Sequence, residues 1–578
     1  MNYVWEKFEN EVKELLLTEK IERQDILLNR PDRMENGNIS FPCFSLAKAR
    51  KKSPKMIADE LVEKWKQGKR DWKYIQKAES VGGYINFFIR KENFFPELIS
   101  ELSESADNYG SFNVDLPKLV GVEFLEPNTN KPLSVGHARN AFLGWSVSRI
   151  LEFSGNRVIK FNLFNDRGTH ICKSMLAYQK WGNDRTPANE GIKGDHFVGK
   201  YYVLFGVEAE KNPKLEQEAQ QMLHDWENGT ESVVALWKKM NEWFYEGVEE
   251  TLQAAGIKFD KVYYESDIYK EGKNIVLQSL EKKKCYRLDD GAVEIDLTNR
   301  GLDKKILLRK DGTAVYIVQD LFLAKKKFED YNLDLSIYVV ADEQKYHFEV
   351  LFNLLDIFDI SDKEKNYHLS YGMVNLSGGK MSSRKGTVVR WDDLYLEMKE
   401  LAKQEIDSRG ENLSDDEKNF RAEKIALAAM KFKLINQDKD KVIIFDKKEA
   451  IRFEGETGPY LLYTYARINS ILQKCHHDVF FCPEDIKEFN NPELNDLLFE
   501  IAFFYRKVEQ AAMSYNPAVI SKYCYVLCQS FNNFYHKHHV LAAENADLVR
   551  SRLQLLLIVR QVLKNGLGLL GIELLEKM

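Results

Sequence analysis

A chain of 578 residues with 83 basic and 89 acidic side chains carries a net charge of −6, so no global field draws it to nucleic acid. Any such contact must come from local patches. At 44 % hydrophobic and 30 % charged it has the composition of a folded globular protein, not of a disordered one. About 150 residues per domain gives roughly three or four domains. The most apolar run, 553–575, is broken by Arg560, Lys564 and Glu573, so no membrane span is expected, and the first residues do not read as a signal peptide. The cysteines at 43, 172, 285, 475, 482, 524 and 528 lack zinc-ribbon spacing. Free thiols in a reducing cytoplasm are expected, and no structural metal; Cys475-His-His477 with Cys482 lacks a second pair of ligands.

In chain order, helical periodicity covers 4–17 and 54–65, with a turn and short extended piece at Asn36-Gly-Asn-Ile-Ser-Phe-Pro42 between them. The basic run Lys48-Ala-Arg-Lys-Lys-Ser-Pro-Lys55 reads, by charge alone, as a solvated helix end. Val81-Gly-Gly-Tyr-Ile-Asn-Phe-Phe-Ile89 reads as one strand with a glycine entry, closing a first α+β unit over 1–112.

Residues 113–375 alternate strand and helix. A buried strand at 118–124 leads into a loop with Pro127, Pro132 and Gly136. A helix over 138–155 follows, with Phe142, Leu143, Trp145, Val147, Ile150, Leu151 and Phe153 at helical spacing, then a strand at 158–164. This is a right-handed βαβ unit whose loop sits at the carboxyl end of a parallel strand, where open α/β sheets bind ligands. The helix begins near His137, so its free N–H groups face an anion site. The turn Asn165-Asp-Arg-Gly-Thr-His170 faces the same crevice. Residues 182–250 read as a helical insertion, with Trp226, Trp237 and Trp243 as core. Strands at 259–266, 292–295, 314–318 and 335–341, with a helix over 320–330, predict a doubly wound parallel sheet.

Residues 376–444 hold a loop and linker. Gly378-Gly-Lys380 supplies bare N–H groups and a cation for phosphate; it is no Walker loop, because Met381 stands where Ser or Thr would bind magnesium. From about 445 to 578 the pattern is all-helical. Gly566, Gly568 and Gly571 formally match a dinucleotide fingerprint, but no room remains for the helix, strand and acidic residue it requires.

Two of these stretches resemble the signatures of class I aminoacyl-tRNA synthetases: Pro132-Leu-Ser-Val-Gly-His137 their HIGH motif, Lys380-Met-Ser-Ser-Arg384 their KMSKS motif. Pro127-Asn-Thr-Asn-Lys-Pro-Leu133 with Gly136-His-Ala-Arg-Asn140, the strand Gly83-Tyr-Ile-Asn-Phe87, and blocks at 458–470, 530–536 and 560–572 resemble the arginyl-tRNA synthetases along the whole chain. The resemblance implies a class I Rossmann-type parallel-sheet catalytic domain, an N-terminal α+β tRNA-binding domain and a C-terminal all-α anticodon-binding bundle. It implies ATP-dependent ligation of L-arginine to arginine tRNA through an arginyl-adenylate, with Mg²⁺ brought by ATP, in a cytoplasmic monomer. The alternative is a catalytically impaired paralogue that binds tRNA. Its support is Ser134, where the family has His; Ser383 likewise replaces a family Lys.

Roles follow by motif match. His137 donates to the ATP phosphates, Gly136 admits the nucleotide to the backbone, and Ser134 faces the same phosphates. Lys380 is the mobile cation, with Ser382 in its loop, and Lys131 replaces the cation lost at Ser383. His368, Gly372, Met373 and Val374 hold adenine. A guanidinium is a planar fork of donors and needs carboxylates. Tyr316, Asp320 and Glu265 are its expected partners, Asn128 and Gln344 bind the α-amino group, Glu123 assists, and Glu126 receives no role. Lys48, Arg50, Lys51 and Lys52 contact tRNA phosphates, and Tyr463, Tyr535 and Met578 contact anticodon bases.

Overall fold

Five parallel strands form the centre of the catalytic region, in the order Asn366–Tyr371, Leu335–Ala341, Leu119–Glu123, Arg157–Phe164 and Lys261–Tyr264. The computed structural model describes residues 3–31, 36–68, 71–112, 114, 116–269, 271–377, 389–409, 413–475, 480–486, 488 and 490–578. Val120, Val122, Ile337, Val339 and Leu369 are buried, as a sheet covered on both faces requires. The chain leaves Leu119–Glu123 toward one edge and later returns on its other side, which makes a topological switch point beside that strand.

The crossover helix Val135–Phe153 is packed hard on this strand, since a Cβ at Gly144 would lie 2.3 Å from Phe124 Cγ. It ends at Ser154 and Gly155, whose φ of 86° only glycine adopts freely. Beneath the sheet end, Glu123 and Lys327, 0–5 % exposed, pair at 2.8 Å, and the ammonium lies 4.0 Å from the Tyr338 ring. Helices Gly194–Lys211, Lys214–Glu227 and Glu231–Ala255 form the insertion. Trp226 and Trp237 pack at 5.3 Å, and Trp243 packs edge-on against Tyr178 and Phe197.

The N-terminal region is a three-stranded antiparallel sheet, with Tyr84–Ile89 between Ile39–Pro42 and Ile75–Val81, packed by helices Val4–Thr18, Pro54–Gln67 and Lys91–Ser105. It docks on the C-terminal helices through Tyr3 stacked on Tyr505 at 4.4 Å, Trp5 on Phe503 at 4.1 Å and a Glu9–Arg506 pair at 2.8 Å. Those helices are Gly458–Gln473, Pro492–Ala502, Phe504–Ser514, Ala518–Lys537 and Ala546–Leu569.

Three expectations are corrected. Residues 81–89 are not one strand: Gly82 and Gly83, at φ 59° and 93°, make the turn of a hairpin whose first strand is Ile75–Val81. Residues 314–318 are not a strand: Ala314 bridges Leu308, Val315 is extended, and the helix Tyr316–Tyr331 starts there. Five apolar residues are too few for periodicity to separate strand from helix entry. Val293–Ile295 does not join the parallel sheet but pairs antiparallel with Tyr286–Arg287 and Lys305–Leu308 in a small sheet of its own.

The Glu123–Lys327 pair gives a stability prediction. Lys327→Met leaves Glu123 buried beside Glu126 without its cation, a loss of roughly 3–5 kcal/mol. A thermal melt followed by circular dichroism should show the first transition shifted to lower temperature; an unchanged melt would mean that the pair contributes nothing.

Candidate active site

The strand Leu119–Glu123 runs into a strained loop: Leu125 and Glu126 have φ of 84° and 47°. Asn140 fixes this bend from the helix, accepting from Leu125 N at 2.5 Å and donating to Val339 O at 2.6 Å. The loop is tied to the neighbouring strand end by Thr129 N to Asn165 O at 3.2 Å and Asn165 N to Pro127 O at 3.0 Å. Further on, Val135 N bonds Val389 O at 3.1 Å and Trp391 N bonds Leu133 O at 2.8 Å, so the exit of the second signature is joined to the first. Asp392, next to that exit, pairs with Lys193 at 2.6 Å and His196 at 2.8 Å from the insertion. Burial raises its pKa, but the His196 hydrogen bond and Lys193 outweigh this and hold it at about 2.

Ser134 is the N-cap of Val135–Phe153, and its Oγ accepts from His137 N at 3.4 Å. The Ser134 N–H donates to His137 Nδ1 at 3.0 Å, and Ser134 Oγ lies 2.8 Å from the same nitrogen. An Nδ1 that accepts these contacts carries no proton, so the neutral ring has its hydrogen on Nε2. Burial, then the nearby Lys131 cation, lowers the His137 pKa to about 4, so the ring is neutral at physiological pH. Ser134 therefore orients His137, and its hydroxyl is engaged within the cap instead of facing the crevice freely. A Cβ at Gly136 would meet only Ser134 Oγ at 3.4 Å, so packing does not demand the glycine.

The expected adenine segment is held by Arg139, a residue to which the sequence reading gave no role. Arg139 is 0 % exposed and donates to the carbonyls of Gly372, Met373 at 3.3 Å, Lys441 at 2.9 Å and Lys439 at 3.1 Å. Gly372 is close-packed, since a Cβ would lie 2.6 Å from Lys441 O. Val374 pairs with Ile443, Met373 is exposed, and His368 donates through Nε2 to Val340 O at 2.9 Å while stacking on Phe348 at 4.5 Å.

The acidic residues gather at the same strand ends. Asp320 lies one turn after the exposed Tyr316 and meets His347 Nε2 at 2.7 Å. His347, three residues past Gln344, was also not foreseen. Glu265 is buried and 3.8 Å from Arg167; burial raises it to about 7, against the pull of that guanidinium. Glu123 is occupied by Lys327. Glu126 Oε1 is enclosed and has no hydrogen-bond partner among the described residues. The Asp320 charge helps to raise both Glu126 and Glu265. Asn128 lies half-buried in the loop, bridged to Asn165, and Gln344 is exposed in the turn after Leu335–Ala341. Lys380, Ser382 and Ser383 lie outside the described residues, as do His476 and His477.

Away from the crevice, Lys48 and Lys51 are exposed, whereas Arg50 donates to Glu19 O at 2.8 Å and Lys52 pairs with Glu60 at 2.6 Å. Tyr463 and Tyr535 are half-buried beneath Arg409 at 5.4 Å and Arg467 at 4.5 Å, and Met578 packs on the helical core.

His137 and His170 carry a pH prediction. Burial, then Lys131, lowers both to about 4, from an ordinary 6.5. Between those values the unfolded chain binds protons that the native chain refuses, so stability falls as pH drops through this window. The urea midpoint should fall less steeply from neutral to acid pH in a His137→Gln/His170→Gln variant than in wild type; equal slopes would place the titration elsewhere.

Comparison with known proteins places these features. The catalytic-domain model of class I tRNA synthetases (R) matches residues 101–447, the DALR anticodon binding domain 461–578 and the arginyl tRNA synthetase N terminal domain 3–89. A Treponema denticola protein named arginine–tRNA ligase is 40 % identical over 572 residues, spanning 97 % of this chain and 96 % of its own. Another of that name from Parabacteroides distasonis is 41 % identical over 576 residues, with 96 % of each chain covered. The solved arginyl-tRNA synthetase of Thermus thermophilus superposes with a TM-score of 0.80 at 26 % identity over 99 % of both chains. By fold, by domain content and by full-length similarity, the chain belongs to the arginine–tRNA ligases of synthetase class I.

Proposed function

We propose that the crevice joins L-arginine to its tRNA in two steps. An oxygen of the arginine carboxylate attacks the α-phosphorus of ATP, and pyrophosphate leaves. The 2′-hydroxyl of the terminal adenosine then attacks the carbonyl carbon of the adenylate; AMP leaves with the bonding electrons, and the hydroxyl proton passes to solvent. The observation that carries this reading is a helix N-terminus and a group of carboxyls brought together at the carboxyl ends of the parallel strands.

No protein nucleophile is needed, and catalysis is positioning and charge stabilisation. The neutral Nε2–H of His137 and the Gly136 N–H donate to phosphate oxygens, and the positive end of the helix dipole adds to their pull. Lys131 stands near as a fixed cation, and Lys380 is its counterpart from the second signature. Mg²⁺ would arrive with ATP as part of the substrate and would offset phosphate charge. Gly372, Met373 and Val374 receive adenine; Asp320, Tyr316 and Glu265 receive the guanidinium, and Asn128 and Gln344 the α-amino group. The enzyme is read as a cytoplasmic monomer. Ser134 gives no support to an impaired paralogue, because it holds His137 in the donor tautomer.

The direct test is arginine-dependent ATP–pyrophosphate exchange and aminoacylation, with lysine, citrulline and canavanine as competitors and with tRNA present or absent. Turnover with citrulline, which has no guanidinium, would overturn the reading. Asp320→Asn should raise KM for arginine and leave KM for ATP nearly unchanged, the truncation of a charge pair being worth about 2–5 kcal/mol. Equal movement of both constants would remove Asp320 from the arginine site.

On the N-terminal domain the engaged Arg50 and Lys52 narrow the tRNA contact to Lys48 and Lys51. Changing both to Ala should lower the salt slope of tRNA binding by about two phosphate contacts while leaving arginine activation intact. An unchanged slope would return the run to a solvated helix end.

A further inference from the structure

The end of strand Leu119–Glu123 holds more acid than its protein surroundings neutralise. Among the described residues, Glu123 takes the one ammonium paired with these acids, Lys327 at 2.8 Å. Glu126 contacts Glu123 side chain to side chain, and its Oε1 is shut away from water without a hydrogen-bond partner among the described residues. Across the crevice Asp320 adds a third negative group, itself bound to His347. The other facing group is the Tyr371 hydroxyl, which already accepts from Asn140 Nδ2 at 3.1 Å. Two consecutive non-glycine residues, Leu125 and Glu126, are held at φ of 84° and 47° to put the side chain there. Strain of this kind, of order 1–3 kcal/mol per residue, collects at ligand sites. A buried oxygen without a partner costs about 1–3 kcal/mol more. Both costs make sense if a ligand completes the arrangement, and the missing component is a cation.

Building on the arginine reading, we propose that Glu126 is a further ligand of the amino-acid substrate, binding its α-ammonium. It stays protonated in the free enzyme, and its proton goes to solvent when the substrate arrives. Glu126 lies two residues before Asn128, on the loop read as the α-amino side of the pocket, whereas Asp320, Tyr316 and Glu265 lie on or beside the helix read as the guanidinium side. In the free protein, burial first and the Glu123 carboxylate second push the Glu126 carboxyl well above the usual range, and Lys327 only partly opposes them. The proton then lies between the two carboxyls, which could not both be ionised in contact. An entering ammonium replaces that proton as the neutralising charge: Glu126 O–H breaks, the proton leaves to buffer, and an N–H···O hydrogen bond forms.

The test is calorimetry of L-arginine binding to the full chain at about pH 8, in phosphate and in Tris, whose ionisation heats differ. At that pH Glu265, raised only to about 7, is already ionised and contributes little. Wild type should release about one proton per arginine. Glu126→Gln should release none and bind arginine about tenfold or more weakly. It should melt no earlier than wild type, because a buried acid has been replaced by an amide of the same shape. As a second measurement that needs no variant, 5-guanidinopentanoate, which lacks the α-ammonium, should bind wild type without proton release. No proton release by wild type with arginine, full release by Glu126→Gln, or release with the des-amino analogue would each overturn the proposal while leaving arginine as substrate. Failure of wild type to bind arginine or to support arginine-dependent exchange would overturn the substrate reading itself, and this proposal with it.

Discussion

A guanidinium buried among main-chain carbonyls is what the crevice depends on. Arg139 reaches from the first turns of Val135–Phe153 to the carbonyls of Gly372, Met373, Lys439 and Lys441. The helix start, the 372–373 turn and the 439–441 linker are therefore tied together through one side chain. The linker is tied onward, since Lys439 Nζ donates to Tyr367 OH at 2.9 Å and to Ser514 O at 3.3 Å in the helical region. Lysine could not substitute: its three donors leave one point, whereas the planar fork spans two chain segments. Burial lowers the Arg139 pKa to about 10, which still leaves it charged at neutral pH. Removing it would orphan several buried carbonyls, at about 1–3 kcal/mol each.

On the proposed reading, the two sides of the crevice solve opposite electrostatic problems. The phosphate side must attract a polyanion without collapsing on itself when empty. It does so with a helix terminus, an exposed Lys131 and a histidine kept neutral by burial first and by that same lysine second. A charged His137 beside Lys131 would repel it in the free enzyme, whereas a neutral Nε2–H still donates. The amino-acid side must receive two cationic groups, a guanidinium and an α-ammonium. Its carboxyls are engaged by internal stand-ins: the Lys327 ammonium on Glu123, a hydrogen bond from His347 on Asp320 and the Arg167 guanidinium near Glu265. Each stand-in keeps a carboxyl tolerable until the substrate arrives.

Local features of this site were legible in the sequence and long-range partners were not. The strand, loop and helix from 119 to 153 follow from apolar runs punctuated by Pro127, Pro132 and Gly136, all short-range signals. Periodicity failed at 314–318 and 292–295 because runs of four or five residues fit a strand, a helix entry or a second sheet equally well. Glu123 was legible as an acid at a strand end, but Lys327, 204 residues away, decides what it does. The same holds for His347 under Asp320 and for the four carbonyls around Arg139. Residue chemistry can be read from one chain; its neutralising partner is a property of the fold.

Ser134 shows how a departure from a family pattern changes a role without emptying the position. As a residue type it is a strong N-cap, a place where serine stabilises a helix by about 1 kcal/mol over alanine. Its Oγ accepts from His137 N, and its own N–H and hydroxyl converge on His137 Nδ1. Three contacts over one helical turn thus fix the ring rotation and the tautomer together. With the ring so fixed, the Nε2–H points out of the cap with no freedom left to lose when phosphate binds, and that preorganisation is where an electrostatic site gains over water. On the proposed reading, a ring donor is lost at this position, and the serine in its place gives the matched histidine one turn later a fixed orientation.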